Sequence, residues 1–250
     1  MTLFKNMVFS LPFIRVNNKD KNSAFYRETL GFNLHSEENG LALFSSKEDQ
    51  TIKFIIEESP SMRTRRVRDG KKKLKQIVVK CHQAADIENL LAKGVDYDKL
   101  YRGENGFAFE ATSPEQDRFL LHAEDDLSTL VEIETADFQS HTEDWGLSDF
   151  VIQEIVLRVP SKDAQDFYQD LFGDALPLNL SFVVEEGCDL QVEPNVTWDL
   201  EVLEFKVNPD TDLSQLKTYF EDKGLEVYLD RAEKILVISD LSRIELWFVK

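Results

Sequence analysis

The chain has 250 residues, 42% of them apolar and 30% charged, with a formal net charge of −18. That balance excludes a disordered chain, and no apolar run approaches the roughly 20 residues of a membrane-spanning helix; even Ile52 to Ile56 is interrupted by Lys53. So strong a negative charge also excludes nucleic acid as a partner, because phosphates need a basic footprint.

The opening segment, MTLFKNMVFSLPFIRV, places Lys5 before an apolar run in the manner of an export signal. Pro12 and Arg15 break that run and no small-residue cleavage site follows, so it reads as a strand and the chain is expected in the cytoplasm. Residues 7–32 then give an alternating strand, a polar turn and a helix that carries Phe25, Tyr26 and Leu30 and stops at Gly31. Two alternating strands follow, LALFSS and TIKFIIEE.

From Arg63 to Lys75 the sequence RTRRVRDGKKKLK holds eight bases and one acid, which reads first as a solvated connector paired with the acidic stretch 124–149 and second as an anion-binding loop. Leu74 opens a second strand and helix, stopped by Gly94 and followed by GFAFEAT and RFLLHAE. The acidic stretch has nine acids and no Lys or Arg, and its LVEIETADF alternates well enough to add a strand. Residues 150–173 repeat the first unit, with Leu157, Arg158 and Val159 matching Ile14, Arg15 and Val16 and a second Phe-Tyr pair at Phe167 and Tyr168. Only NLSFVVEE and DLQVEP come after that helix, so this unit lacks a strand; the fourth starts at Val202, turns at Gly224 and ends in KILVISD and RIELWFV.

The reading is therefore an α+β protein of four βαβββ units. Residues 1–124 form an amino-terminal domain of two units, 125–149 an acidic linker, and 150–250 a carboxy-terminal domain whose first unit is shortened. Cys81 and Cys188 have neither metal nor redox spacing and are expected as free thiols.

The motif PFIRVNNKDKNSAFYRETLGF and its repeats resemble the vicinal oxygen chelate superfamily of glyoxalases, extradiol dioxygenases and bleomycin-resistance proteins. The resemblance implies that two units pair and curl their sheets round one cleft. Strand alternation sends Ile14, Val16, Ile77, Val79, Ile155, Leu157, Val159, Leu203 and Phe205 toward the helices. The cleft then receives Leu11, Phe13, Arg15, Gln76, Val78, Lys80, Glu154, Val156, Arg158, Val202, Glu204 and Lys206. Last strands add Lys53, Ile55, Leu120, His122, Gln191 or Glu193, Glu245 and Trp247.

Metal-dependent members of the superfamily place His, Gln or Glu at the first cleft position of first strands and on last strands. Within the amino-terminal half those positions hold Leu11, Lys53, Gln76 and Leu120, which cannot bind a divalent cation. In the carboxy-terminal half Glu154, Gln191 and Glu245 form the candidate metal set, able to hold a hard cation weakly. Arg15, Lys53, Lys80, His122, Arg158, Glu204, Lys206 and Trp247 are the candidate ligand-binding residues. Among His35, His82, His122 and His141 none forms H-E-x-x-H, no G-x-S-x-G occurs, and Cys81 and His82 point to opposite faces of a strand.

The two-domain arrangement, the acid-rich linker and the ending RIELWFVK resemble the streptococcal CppA family, described as a proteinase that degrades complement component C3. That resemblance implies an enzyme with C3 as partner. The residues themselves supply no proteolytic constellation. They point to a non-catalytic cleft for a small molecule or peptide, or to a metal-dependent lyase or isomerase site in the carboxy-terminal half.

Overall fold

The computed structural model describes residues 3–59, 64–140, 142–143 and 145–250. Arg63 and His141 lie outside the described residues. Unit one comprises β1 (Val8–Val16), α1 (Lys19–Ala24, extended by a π turn over Phe25–Thr29), β2 (Asn33–Glu38), β3 (Leu41–Ser45) and β4 (Phe54–Glu58). The Asn18 side chain caps α1 by accepting from the Lys21 amide at 2.8 Å. Gly31, at φ +72°, reverses the chain beyond it, where a Cβ would lie 3.0 Å from the Gly146 Cα.

Unit two has β5 (Leu74–Cys81), α2 (Ala84–Ala92), β6 (Lys99–Arg102), β7 (Phe107–Thr112) and β8 (Arg118–His122). The acidic segment does add a strand, β9 (Val131–Ile133), antiparallel to β6. Unit three is β10 (Phe150–Val159), α3 (Asp163–Phe172) and β11 (Asn179–Val184). Unit four is β12 (Leu200–Lys206), α4 (Leu213–Asp222), β13 (Tyr228–Leu229), β14 (Ile235–Ser239) and β15 (Glu245–Val249).

The strands form an eight-stranded sheet, β13-β14-β15-β12-β1-β4-β3-β2, and a seven-stranded sheet, β11-β10-β5-β8-β7-β6-β9. Each sheet therefore joins one unit from each half of the chain, through antiparallel β1–β12 in one and β5–β10 in the other. Clefts expected within each half are instead shared between halves. The reason is physical: all four first strands carry the same alternation, which fixes the face each buries but not the neighbour it takes. Unit three keeps only its first and last strands, because DLQVEP folds as a turn in which Asp189 takes two bonds from Arg65, at 2.7 and 2.6 Å, and one from the Arg68 amide at 2.8 Å.

Both sheets turn their apolar alternate positions to one core, where Ile14, Phe205 and Phe248 of one sheet and Ile77, Leu121 and Ile155 of the other are fully buried. Helical aromatics join the sheets. Tyr26 lies 4.7 Å from Phe54 and 5.5 Å from Phe119, centroid to centroid, and Phe32 stacks on Phe150 at 4.3 Å. On the other side Tyr168 is buried against Phe182, and its hydroxyl donates to Asp240 at 3.0 Å.

The basic run is a strap across the two halves rather than a solvated connector. Lys72 and Lys73 are buried: Lys72 pairs with Asp117, and Lys73 Nζ donates to the Val192 carbonyl at 2.7 Å. Burial lowers the pKa of Lys73 and raises that of Asp117 to about 6 despite its lysine. Asp199 accepts from the amides of Lys73, Leu74 and Leu200 at 2.6, 3.1 and 2.8 Å. The carboxylates that meet the strap among the described residues thus lie at 117, 185, 189 and 199, not in the acidic stretch.

Two stability predictions result. Tyr26→Ala and Tyr168→Ala each empty an aromatic contact between helix and sheet and should cost about 2–4 kcal/mol in urea denaturation; curves superposing on the parent's would refute the packing. Asp199→Ala leaves three amides without their acceptor and should cost about 3 kcal/mol or more, whereas an unchanged midpoint would show that the strap contributes nothing to joining the halves.

Candidate functional site

The sheet face turned away from the core is built row by row from the strand ladders. On the eight-stranded sheet, Leu11 lies opposite Glu204, which neighbours Trp247, Val237 and then Tyr228. The next row runs Leu43, Ile55, Phe13, Val202, Glu245 and Ser239. The floor is thus largely apolar and aromatic. A bulge between Phe9 and Leu11 resets the alternation, so Phe9 meets core residue Phe205 while Leu11, 5% exposed, is buried on the floor.

Charges on this face differ in how fully they are matched. Arg15 is buried between Glu57, at 2.9 Å, and Glu201, at 2.8 Å. Glu245 accepts from the Trp247 indole nitrogen at 2.7 Å. Among the described residues Glu204 has no ion pair or hydrogen bond through its side chain. Lys53, expected in the cleft, precedes β4 and reaches out to Asp149 at 2.9 Å, Asp49 at 3.0 Å and the Phe150 carbonyl at 3.1 Å. Lys206 is exposed at the end of β12, in a 380 Å³ hollow that it shares with Lys53, Val8, Ile52, Val151 and Pro177.

Toward the sheet's other end a hollow of about 750 Å³ is lined by Tyr228, Val237, Ser239, Glu245, Glu226 and Arg243, among others. Tyr228 went unnoticed in the sequence because its strand has two residues, too few to show alternation.

The seven-stranded sheet carries the other predicted residues. Lys80 pairs with Asp125 at 2.7 Å. Arg158 donates to the Leu74 carbonyl at 3.1 Å and lies 3.5 Å from Glu185. Glu154 accepts from the Ser181 hydroxyl. His122 is fully buried; its Nδ1 accepts from the Glu124 amide at 3.1 Å and its Nε2 is buried without a hydrogen-bond partner. Burial, set against the neighbouring Gln153 and reinforced by Lys80, holds its pKa below the ordinary value.

The eleven predicted residues therefore do not share one hollow. Arg15, Glu204, Lys206, Glu245 and Trp247 lie on one sheet, Lys80, His122, Glu154 and Arg158 on the other. Gln191, in a turn, donates to the Leu241 carbonyl at 3.1 Å and lines the same hollow as Glu245, so only Glu154 of the metal set stands apart, on the other sheet. Glu154, Gln191 and Glu245 consequently cannot ligate one ion, and no group of three His, Cys, Asp or Glu converges among the described residues. With the halves paired as they are, the four metal positions of the eight-stranded sheet become Leu11, Lys53, Val202 and Glu245. Two apolar side chains, an ion-paired lysine and one engaged carboxylate do not fit a divalent cation.

Nor does a described cysteine pair with a histidine as nucleophile and base, and Ser46, whose hydroxyl donates to Asp149 at 2.8 Å, meets the same carboxylate as His82 rather than the imidazole. Cys81 is buried, which pushes its thiol pKa far up, and Cys188 is exposed; neither is bonded to the other. His35 meets Gln50 at 3.3 Å, His82 meets Asp149 at 3.1 Å, and His122 meets the Glu124 amide.

The buried imidazole gives a pH prediction. Its folded pKa lies below the unfolded value of about 6.5, so its contribution to stability is complete above that pH and is lost as pH falls through the folded pKa. Denaturation midpoints of the parent should fall from pH 7 toward pH 5 more steeply than those of His122→Gln. Parallel slopes would show that His122 is not kept neutral by the fold.

Comparison with known proteins places the chain in a family. Residues 9–133 match the CppA N-terminal family model and residues 147–248 the CppA C-terminal model. The chain is similar to the crystal structure of the cppA protein from Streptococcus pneumoniae TIGR4, at 37% identity over 98% of both chains with a TM-score of 0.84. It thus belongs to the CppA family. Its fold is also that of glyoxalase I from Zea mays, with a TM-score of 0.62, 11% identity and coverage of 100% of this chain and 95% of that one. A Bacillus subtilis strain 168 protein, provisionally named a dioxygenase, matches with a TM-score of 0.60 at 15% identity over 97% and 84% of the two chains. No curated protein matches.

Proposed function

We propose that this protein is a binding protein without chemistry of its own, and that the open face of the eight-stranded sheet takes a small molecule or peptide segment with an apolar body and a cationic group. One observation carries the reading: Glu204 stands unmatched on an otherwise apolar floor, between Leu11 and Trp247. A carboxylate half-buried beside an indole favours a cation twice over, through its own charge and through the ring's π face. The apolar residues at the superfamily's metal positions leave binding, rather than Lewis-acid chemistry, as the use of this face.

Proteolysis of complement C3, which the family resemblance implies, requires an activated side-chain nucleophile or an activated water, and none of the described cysteines is paired with a histidine for the first. Weak binding of a divalent cation would have to rest on Glu154, taken by Ser181, or on Glu245, taken by Trp247, with Gln191 and Glu226 lining the same hollow as Glu245.

Phenethylammonium and alkylammonium probes titrated into the protein should change tryptophan fluorescence saturably. Glu204→Gln should weaken that binding by about tenfold, consistent with loss of one charged contact worth ~1–2 kcal/mol, and Trp247→Phe should remove the signal. Equal affinity in Glu204→Gln, or no saturation in the parent, would reject the face as a cation-binding site.

A further inference from the structure

Units one, two and four order their strands first, last, third, second, whereas unit three stops after first and last. β11 is therefore an outer strand of the seven-stranded sheet, with room beside it for the two strands its unit lacks. The Glu185 amide donates to the Val159 carbonyl at 3.0 Å in the parallel β10–β11 ladder. By alternation the amides of Ser181 and Val183 also face β10, and those of Leu180, Phe182 and Val184 face outward. Among the described residues, these three outward amides have no partner.

The other sheet edges are guarded in the usual ways. β2 carries Glu37 and Glu38, β9 has three residues and β13 has two. β11, with the sequence NLSFVV, has neither charge nor proline, and Val184 is 49% exposed. Its surroundings are acidic on balance: residues 174–186 hold Asp174, Glu185 and Glu186 and no base, and Glu154 lies beside Asn179 on the neighbouring strand, whereas Arg158 and Lys71 both meet Glu185 and leave Asp174 and Glu186 without an ion pair among the described residues. A second copy of the chain would bring the same acids and another net charge of −18.

We infer that the β11 edge is a docking site for an extended segment of another protein in which β-branched and basic residues alternate. The segment adds to the sheet as a further strand, its backbone bonding the three outward amides and its lysines or arginines facing the acids around β11. This site is separate from the open face of the eight-stranded sheet and does not depend on it.

The test uses a fluorescein-labelled peptide of four Val-Lys repeats and, as a control of equal charge, the same peptide with alternate valines replaced by proline. Fluorescence anisotropy should rise saturably with the first and not with the second. Amide exchange followed by NMR should show new protection at Leu180, Phe182 and Val184. Val184→Pro removes one outward donor without touching the β10 ladder, so it should weaken binding at least tenfold while leaving the thermal midpoint in place; Glu204→Gln should not alter binding. Equal binding of both peptides, protection confined to other amides, or full affinity in Val184→Pro overturns the inference. So does sedimentation showing a dimer that Val184→Pro dissolves, since the occupant is then a second copy. Should Val184→Pro not fold, the exchange pattern of the parent decides alone.

Discussion

The backbone ladder between β1 and β12 is the constraint on which the rest of the molecule depends. It sets Leu11 against Glu204 and Phe13 against Val202, side chains separated by most of the chain, and so composes the open face from both halves. Its twin between β5 and β10 does the same for the second sheet. Because each half contributes one unit to each sheet, neither half owns a complete cleft. The apolar backs of both sheets then meet in one core, closed by Tyr26 and Phe119 and by Phe32 and Phe150 across the gap.

The strap at residues 64–75 reinforces that exchange at some electrostatic cost. Lys72 and Lys73 are taken out of water, and Lys73 is held at a lowered pKa by the burial alone. What offsets this is a set of carboxylates contributed by distant segments, Asp117, Asp189 and Asp199, each engaged by strap donors. A buried pair adds little net stability compared with apolar packing, but breaking one partner leaves an uncompensated charge. The network therefore specifies which segments may lie together more than it strengthens them.

Strand parity and unit count were legible in the sequence because apolar alternation is a local signal: Ile155 and Leu157 are buried, and Glu154 faces the other way. Neighbour choice was not, since Val78 and Val202 offer Phe13 similar β-branched partners. Lys53 was misplaced for a related reason: it falls before β4 begins, where its amine meets Asp149 of the acidic stretch rather than the cleft. Gln191 was read onto a strand that the Arg65–Asp189 contact replaces with a turn. The unmatched state of Glu204 could not be seen at all, because it depends on which side chains the folded sheet does not bring near.

The assembly of the open face across the two halves can be tested directly by cross-linking. In a background of Cys81→Ser and Cys188→Ser, Phe13→Cys combined with Val202→Cys places two thiols on facing positions of neighbouring strands, within the few ångströms that a disulfide requires. Mild oxidation followed by mass spectrometry should recover a fragment joining residues 13 and 202 in high yield, and Phe13→Cys combined with Val78→Cys should give none. Joining of 13 to 78 with 13 and 202 left free would mean that the units pair within their own half, and the composite face would not exist.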